Sequence, residues 1–174
     1  MGKNFRASLH EITTFVLDYD GVLTDGTVIL TTEGEALRTA NVKDGYAMQL
    51  AMKRGYRLVV ISGGNSRSTL KRLENLGLQD IYLGIENKLE TYDKLIAEYN
   101  LQPKQILYMG DDIPDMKPMQ KAGVACCPAD AAEEIKNICD YISHAEGGRG
   151  CVRDVIEQVM KVQEQWMNHD AFHW

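Results

Sequence analysis

Two clusters of carboxylates in this chain are spaced for chemistry. Asp18-Tyr19-Asp20-Gly21 follows one apolar run, and Gly110-Asp111-Asp112-Ile113-Pro114-Asp115 follows another. Two acids one residue apart at the end of an apolar strand are costly to leave unpaired near a core. Asp and Gly are also ordinary turn formers, so the first cluster alone divides evenly between a site and a solvated turn. The second cluster decides between them. One of its acids has a local use in capping a helix ahead of Pro114, but capping does not consume all three. Like charges at one edge of a sheet repel unless a hard cation lies among them, and Mg2+ takes such oxygen-rich, partly hydrated sites.

Two other places supply donors and positive charge. Ser62-Gly63-Gly64-Asn65 offers a hydroxyl and backbone N–H groups at a helix start, a setting suited to phosphate oxygens. Lys88 opens a later helix-like stretch; a lone lysine is ordinarily a solvated side chain, but here it is the one cation placed to balance a phosphoryl group beside the carboxylates.

These residues need a scaffold that brings them to one edge. Residues 13–18, 57–62, 80–84 and 106–111 read as strands, with weaker candidates at 124–127 and 141–143. The strong ones are nearly continuous apolar runs, as expected of parallel strands covered on both faces. Helix-like stretches lie between them at 45–53, 66–76, 87–99 and 114–122, with a further apolar face at Val155, Ile156 and Val159. Leu70, Leu73 and Leu76 recur at helical spacing, and Gly77 stands where a C-cap belongs. Such alternation predicts an α/β fold, a Rossmann-like doubly wound parallel sheet whose ligands bind beyond the carboxyl ends of its strands. Residues 26–41 break the pattern and read as a β-hairpin turning at Glu33-Gly34, inserted after the first strand, with no separate cap domain.

The composition fits one globular domain over 1–174. The chain is 44% hydrophobic and 25% charged, with 4 Pro and 15 Gly, which argues against disorder or low complexity. A formal net charge of -6 speaks against nucleic-acid binding, which needs clustered Lys and Arg. No apolar stretch is long enough to span a membrane, and the start lacks the pattern of a signal peptide, so the expectation is a cytoplasmic protein. None of the four cysteines falls in a CxxC pair, and they read as small core residues. Residues 164–174 form an aromatic tail; the stretch from Trp166 to Trp174 is expected to dock on another subunit.

The four stations DYDGVLTD, ISGG, Lys88 and GDDIPD resemble, in order and spacing, the motifs of the haloacid dehalogenase-type phosphatases. The resemblance spans nearly the whole chain. It implies an aspartyl-phosphate mechanism with Asp18 as nucleophile and Asp20 as general acid and then general base. It implies Mg2+ held by Asp18, the backbone carbonyl of Asp20 and Asp111, with Asp112 and Asp115 behind them or acting through water. Ser62 and the Gly63 N–H would hold the transferring phosphoryl group.

The hairpin, the run Asn41-Val42-Lys43-Asp44-Gly45-Tyr46 and the stretch Gly147-Gly148-Arg149-Gly150-Cys151 further resemble the 3-deoxy-D-manno-octulosonate 8-phosphate phosphatases. That family consists of small capless homotetramers acting in lipopolysaccharide precursor synthesis, in which a neighbour's hairpin and tail help close each site. Its pattern more often has Arg where this chain has Lys43, and Arg or Glu where it has Gly64, a substrate-side position. The substrate would carry a phosphate at one end and a carboxylate at the other, with Lys43, Arg72 and Arg149 as candidates for the carboxylate and hydroxyls. A phosphatase for nine-carbon keto-acid 9-phosphates is the nearest alternative. A phosphoacceptor signalling domain would place its acceptor after the third strand, which here ends without an acid (LGIEN), and the intact set of polar residues argues against a noncatalytic oligomerisation module.

Overall fold

The computed structural model describes residues 4–167 and 169–172. In chain order the elements are α1 (Phe5–Ser8), β1 (Thr14–Leu17), β2 (Ile29–Leu30), β3 (Ala36–Leu37), α2 (Val42–Lys53), β4 (Arg57–Ile61), α3 (Arg67–Asn75), β5 (Asp80–Tyr82), α4 (Lys88–Tyr99), β6 (Ile106–Met109), α5 (Met116–Lys121), β7 (Val124–Cys127), α6 (Glu133–Lys136), β8 (Tyr141–Ile142) and α7 (Cys151–Val162). Six strands form one sheet in the order β5-β4-β1-β6-β7-β8, every neighbouring pair parallel. The chain builds outward from β1 through β4 and β5, then returns to build the other way from β6. The switch in direction therefore falls at β1, where an open α/β sheet places its ligand crevice.

Side-chain alternation along each strand divides the core into two. Phe15, Leu17, Leu58, Val60, Leu107 and Met109 face the layer of α2, α3 and α7. Val16, Val59, Ile61, Ile106 and Tyr108 face α4, α5 and α6. Because both faces are covered, the strands are apolar at every position rather than at every second one. Register then does the positioning: Leu17 pairs with Val60 on one side and Met109 on the other, so the residues that follow all three strands leave the sheet at one edge.

The strands are shorter than their apolar signal predicts. Asp18, Ser62, Leu83-Gly84 and Gly110-Asp111 all lie beyond the last paired residue, because the chain turns there into the site. Helix α2 begins at Val42 rather than Gly45, since the Asn41 side chain accepts from the Lys43 and Asp44 N–H groups at 2.8 and 3.4 Å. The stretch expected as one helix over 114–122 is a 3-10 turn (Ile113–Asp115) followed by α5. The hairpin is present but pairs only Ile29 with Leu37 and Leu30 with Ala36. It stands off the sheet with Val28, Ile29, Leu30 and Leu37 exposed. None of the four cysteines forms a disulfide, and Cys126, Cys127 and Cys151 are buried, as expected of core residues. Among the described residues no helix is long and apolar enough to cross a membrane.

The tail packs in part on its own chain. Trp166 is buried within its own chain, edge-on to Tyr46 at 6.5 Å, with the Arg153 guanidinium 5.3 Å from its ring. Ala171 is also buried, and its carbonyl accepts the Tyr46 hydroxyl. These two residues close the core beside α2 and α7, leaving Met167 and Phe172 exposed. Trp174 lies outside the described residues.

Candidate active site

Asp18 continues β1 by one step, its N–H donating to the Met109 carbonyl at 3.0 Å. That hydrogen bond ties the first acid to the strand that delivers the second cluster. Asp18 Oδ1 accepts the Tyr19 N–H at 2.6 Å, and Oδ2 lies 2.9 Å from Lys88 Nζ. Lys88 is the first residue of α4, whose N-terminus is capped by the Asn87 side chain. Its ammonium also lies 2.8 Å from Asp115 Oδ1, which accepts the Tyr108 hydroxyl at 2.8 Å. Lys88 is thus a buried bridge between the two acidic clusters.

The carboxylates of Asp18, Asp111 and Asp115 converge, each with an oxygen within 4.8 Å of the others. Asp115 is fully buried, and its Oδ2 has no hydrogen-bond partner among the described residues. An orphaned buried oxygen in a trio of acids fits a divalent cation, and the hard oxygen donor set suits Mg2+. The electrostatics agree. Burial pushes Asp18 up to about 6, although Lys88 and the Tyr19 N–H pull it down. Burial, then the neighbouring Asp115, raises Asp111 to about 6. Burial, then Asp18, raises Asp115 to about 7 against the pull of Lys88 and Tyr108. Burial pulls Lys88 down, but Asp18 and Asp115 outweigh it and hold the ammonium above its ordinary range.

The close approach of Asp111 depends on Gly21, which has φ +83°. A Cβ there would lie 2.0 Å from Asp111 Oδ2, so only glycine lets the loop after β1 meet the second cluster. Asp112 is exposed and caps the 3-10 turn, accepting the Ile113 N–H at 2.8 Å. The two acids grouped together in the sequence reading therefore separate: Asp115 joins the buried trio while Asp112 does not.

Asp20 stands apart from that trio. Its carboxylate is gripped by Arg38, with Nε 2.6 Å from Oδ1 and Nη2 3.1 Å from Oδ2. Ser62 is buried, and its Oγ accepts the Gly64 N–H at 3.1 Å, which shapes the loop after β4. Gly63 is exposed on that loop. A Cβ on Gly64 would lie 3.1 Å from Asp20 Oδ2 and 3.5 Å from Ser62 Oγ, so this loop and Asp20 face one another across the site.

The three expected carboxylate binders have three different settings. Lys43 is exposed on the first turn of α2. Arg72 is half-buried and presses on Gly45, with Nη2 2.6 Å from where a Cβ would be. Arg149 reaches Asp25 at 3.4 Å. A cleft of about 570 Å³ opens between the hairpin and α3, lined by Arg38, Asn65, Ser66, Arg67 and Lys71 among others. Arg38 and Tyr108 escaped the sequence reading. Tyr108 looks like any interior strand residue, and Arg38 sits in a hairpin far in sequence from the acid it holds.

Comparison with known proteins agrees with this geometry. A family model for haloacid dehalogenase-like hydrolases matches residues 35–123. The 3-deoxy-D-manno-octulosonate 8-phosphate phosphatase KdsC of Salmonella typhi is 34% identical over 152 residues, covering 87% of this chain and 81% of the relative. KdsC of Escherichia coli K12 is 33% identical over 157 residues, with 90% and 84% covered. Among solved structures, the Yersinia pestis phosphatase of the same name superposes with a TM-score of 0.90 at 30% identity, covering 92% of this chain and 87% of that one. The Moraxella catarrhalis phosphatase, crystallised with a magnesium ion, a phosphate ion and KDO, gives 0.90 at 32% identity, with 97% and 95% covered. The chain belongs to the haloacid dehalogenase-like hydrolases, in the family of the 3-deoxy-D-manno-octulosonate 8-phosphate phosphatases.

Proposed function

We propose that this protein is a Mg2+-dependent phosphatase that hydrolyses 3-deoxy-D-manno-octulosonate 8-phosphate to the free sugar acid and phosphate, serving lipopolysaccharide precursor synthesis in the cytoplasm. The observation that carries the reading is the meeting of Asp18, Asp111 and Asp115 at the switch point of the sheet, with Lys88 bridging Asp18 and Asp115. Asp18, Asp111 and the Asp20 backbone carbonyl would hold a magnesium ion, which would supply charge neutralisation for the phosphoryl oxygens.

The side chains divide the work. An Asp18 carboxylate oxygen attacks phosphorus while Lys88 offsets the negative charge that gathers there. Ser62 Oγ and the Gly63 N–H bind the phosphoryl oxygens in flight. Asp20 gives its proton to the bridging oxygen as the P–O bond breaks, so that the sugar leaves as a neutral alcohol. The resulting carboxylate then takes a proton from water, which attacks the phosphorus of the Asp18 aspartyl-phosphate and releases inorganic phosphate. Of the remaining candidates, Gly64 leaves room beside Asp20, and Lys43, Arg72 and Arg149 are available to the sugar acid.

The exposed apolar hairpin supports assembly into a homotetramer in which a neighbouring copy helps cover the site. A rate comparison tests the whole reading: phosphate release from the eight-carbon keto-acid 8-phosphate, a nine-carbon 9-phosphate and glucose 6-phosphate, each with Mg2+ and with EDTA. The eight-carbon substrate is expected to have the highest kcat/KM and to need the metal. Faster turnover of the nine-carbon compound, or turnover in EDTA, would overturn it.

A further inference from the structure

Arg38 is the second residue in this site that no motif announces, and its contacts are specific. It lies just after β3, at the base of the hairpin, with a side chain only 11% exposed. Its Nη1 donates to the Ala36 carbonyl at 2.8 Å, which fixes the guanidinium relative to its own strand. The other two nitrogens form a fork on Asp20, short at Oδ1 (2.6 Å) and longer at Oδ2 (3.1 Å). A bidentate arginine fixes both the plane and the rotation of a carboxylate, which a single lysine contact does not.

The two oxygens of Asp20 are not equivalent. Oδ1 takes the tighter contact. Oδ2 faces the loop after β4, lying 3.1 Å from where a Cβ on Gly64 would stand, and that same position is 3.5 Å from Ser62 Oγ. Both oxygens are therefore held by the hairpin arginine, Oδ1 the more closely, and Oδ2 is the one that also faces the loop after β4.

We propose that Arg38 is a positioning residue for the leaving-group proton: its fork on Asp20, tightest at Oδ1, fixes the plane of the carboxyl group so that Oδ2 is turned toward the bridging oxygen of the substrate. In that step the proton on Oδ2 passes to the bridging oxygen, the P–O bond breaks, and the new P–O bond forms on Asp18. This deepens the phosphatase reading and rests on it. It also gives the hairpin a role within its own subunit, because the strand that carries Arg38 sets the aim of the acid.

Leaving-group dependence separates positioning from mere structural support. An alkyl phosphate needs a proton on its departing oxygen, whereas 4-nitrophenyl phosphate releases a stabilised phenolate that does not. The quantity to read is the ratio of kcat/KM for the octulosonate 8-phosphate to kcat/KM for 4-nitrophenyl phosphate, in unaltered protein and in R38A, R38K, D20N and R38A/D20N. Misaiming the acid is expected to lower this ratio by about 30-fold in R38A, part of the roughly 10²–10⁴-fold that general acid–base catalysis supplies. R38K should recover part of it. The double variant should be no worse than D20N alone, since the arginine acts through the aspartate. An unchanged ratio in R38A, or additive losses in the double variant, would overturn the inference and leave the phosphatase reading standing. Failure of the unaltered protein to hydrolyse either compound would remove that reading, and this inference with it.

Discussion

Lys88 Nζ lies 2.9 Å from Asp18 Oδ2, joining the first residue of α4 to the residue that follows β1. The same ammonium reaches Asp115 at 2.8 Å, so one cation holds two carboxylates from the loops after β1 and β6 inside the protein. Removing it leaves both acids buried without their partner. Lys88→Met is expected to abolish turnover and to cost about 3 kcal/mol of stability, the scale for breaking a buried ion pair. Thermal denaturation beside phosphate-release kinetics checks both; an unchanged melting temperature would mean the bridge is not holding the site together.

Asp18→Asn should remove the nucleophile while keeping its shape. Phosphate release is expected to fall by about 10³-fold or more, as it does when a group acting in a covalent step is lost. Rapid quench followed by mass spectrometry should find a phosphorylated peptide containing residue 18 in the unaltered protein and none in the variant. A phosphorylated peptide elsewhere would reassign the nucleophile.

The acid trio makes stability depend on pH and on metal together. Asp18, Asp111 and Asp115 rise from 3.8 to about 6, 6 and 7 in the folded, metal-free protein. The folded state therefore binds protons more tightly than the unfolded chain. Their contribution is complete below about pH 4 and is lost as the pH climbs through 6 to 7. In EDTA the melting temperature should be lower at about pH 8 than at about pH 5, and Mg2+ should raise it more at the higher pH, because cation and proton compete for the same oxygens. At roughly a hundredfold excess over its dissociation constant the cation should add about 5–10 °C near pH 8. A Mg2+ effect that grows on acidification would contradict the assignment of these three acids.

Gly21 tests how closely the two clusters must approach. An alanine there puts a Cβ 2.0 Å from Asp111 Oδ2 and also strains a backbone at φ +83°. Gly21→Ala should lower turnover by about 10²-fold, the usual cost of moving a catalytic group by an ångström. Isothermal titration with Mg2+ should register weaker binding; native affinity together with native kcat would rule out the close contact.

Trp166 separates the core role of the tail from any part played in a neighbouring copy. Trp166→Ala should destabilise the chain by about 3 kcal/mol and lower the melting temperature by about 6–12 °C. Removing residues 167–174 deletes the contact between Ala171 and Tyr46 but keeps the indole in place, so its thermal shift should be smaller. Differential scanning calorimetry on both variants decides the order; equal shifts would mean the indole contributes little beyond the rest of the tail.

Much of this protein is readable in one dimension. Apolar runs at β1, β4 and β6 identify parallel interior strands because both faces are covered, and such a sheet presents its strand ends at one edge. That alone is enough to collect Asp18, Ser62, Lys88 and Asp111. The sequence could not tell Asp112 from Asp115, since adjacent acids in a turn look alike until one is buried beneath Tyr108 and Lys88 and the other faces water. Nor could it assign Trp166, because an aromatic tail packs on its own core or on a neighbour's by the same hydrophobic effect. The pairing of Arg38 with Asp20 was hidden for a similar reason: the partners lie 18 residues apart, in a loop and a hairpin with no shared periodicity. Residue type and spacing determined which chemistry this chain carries, and only the packing of hairpin, loops and tail against the sheet decided which oxygen faces which partner.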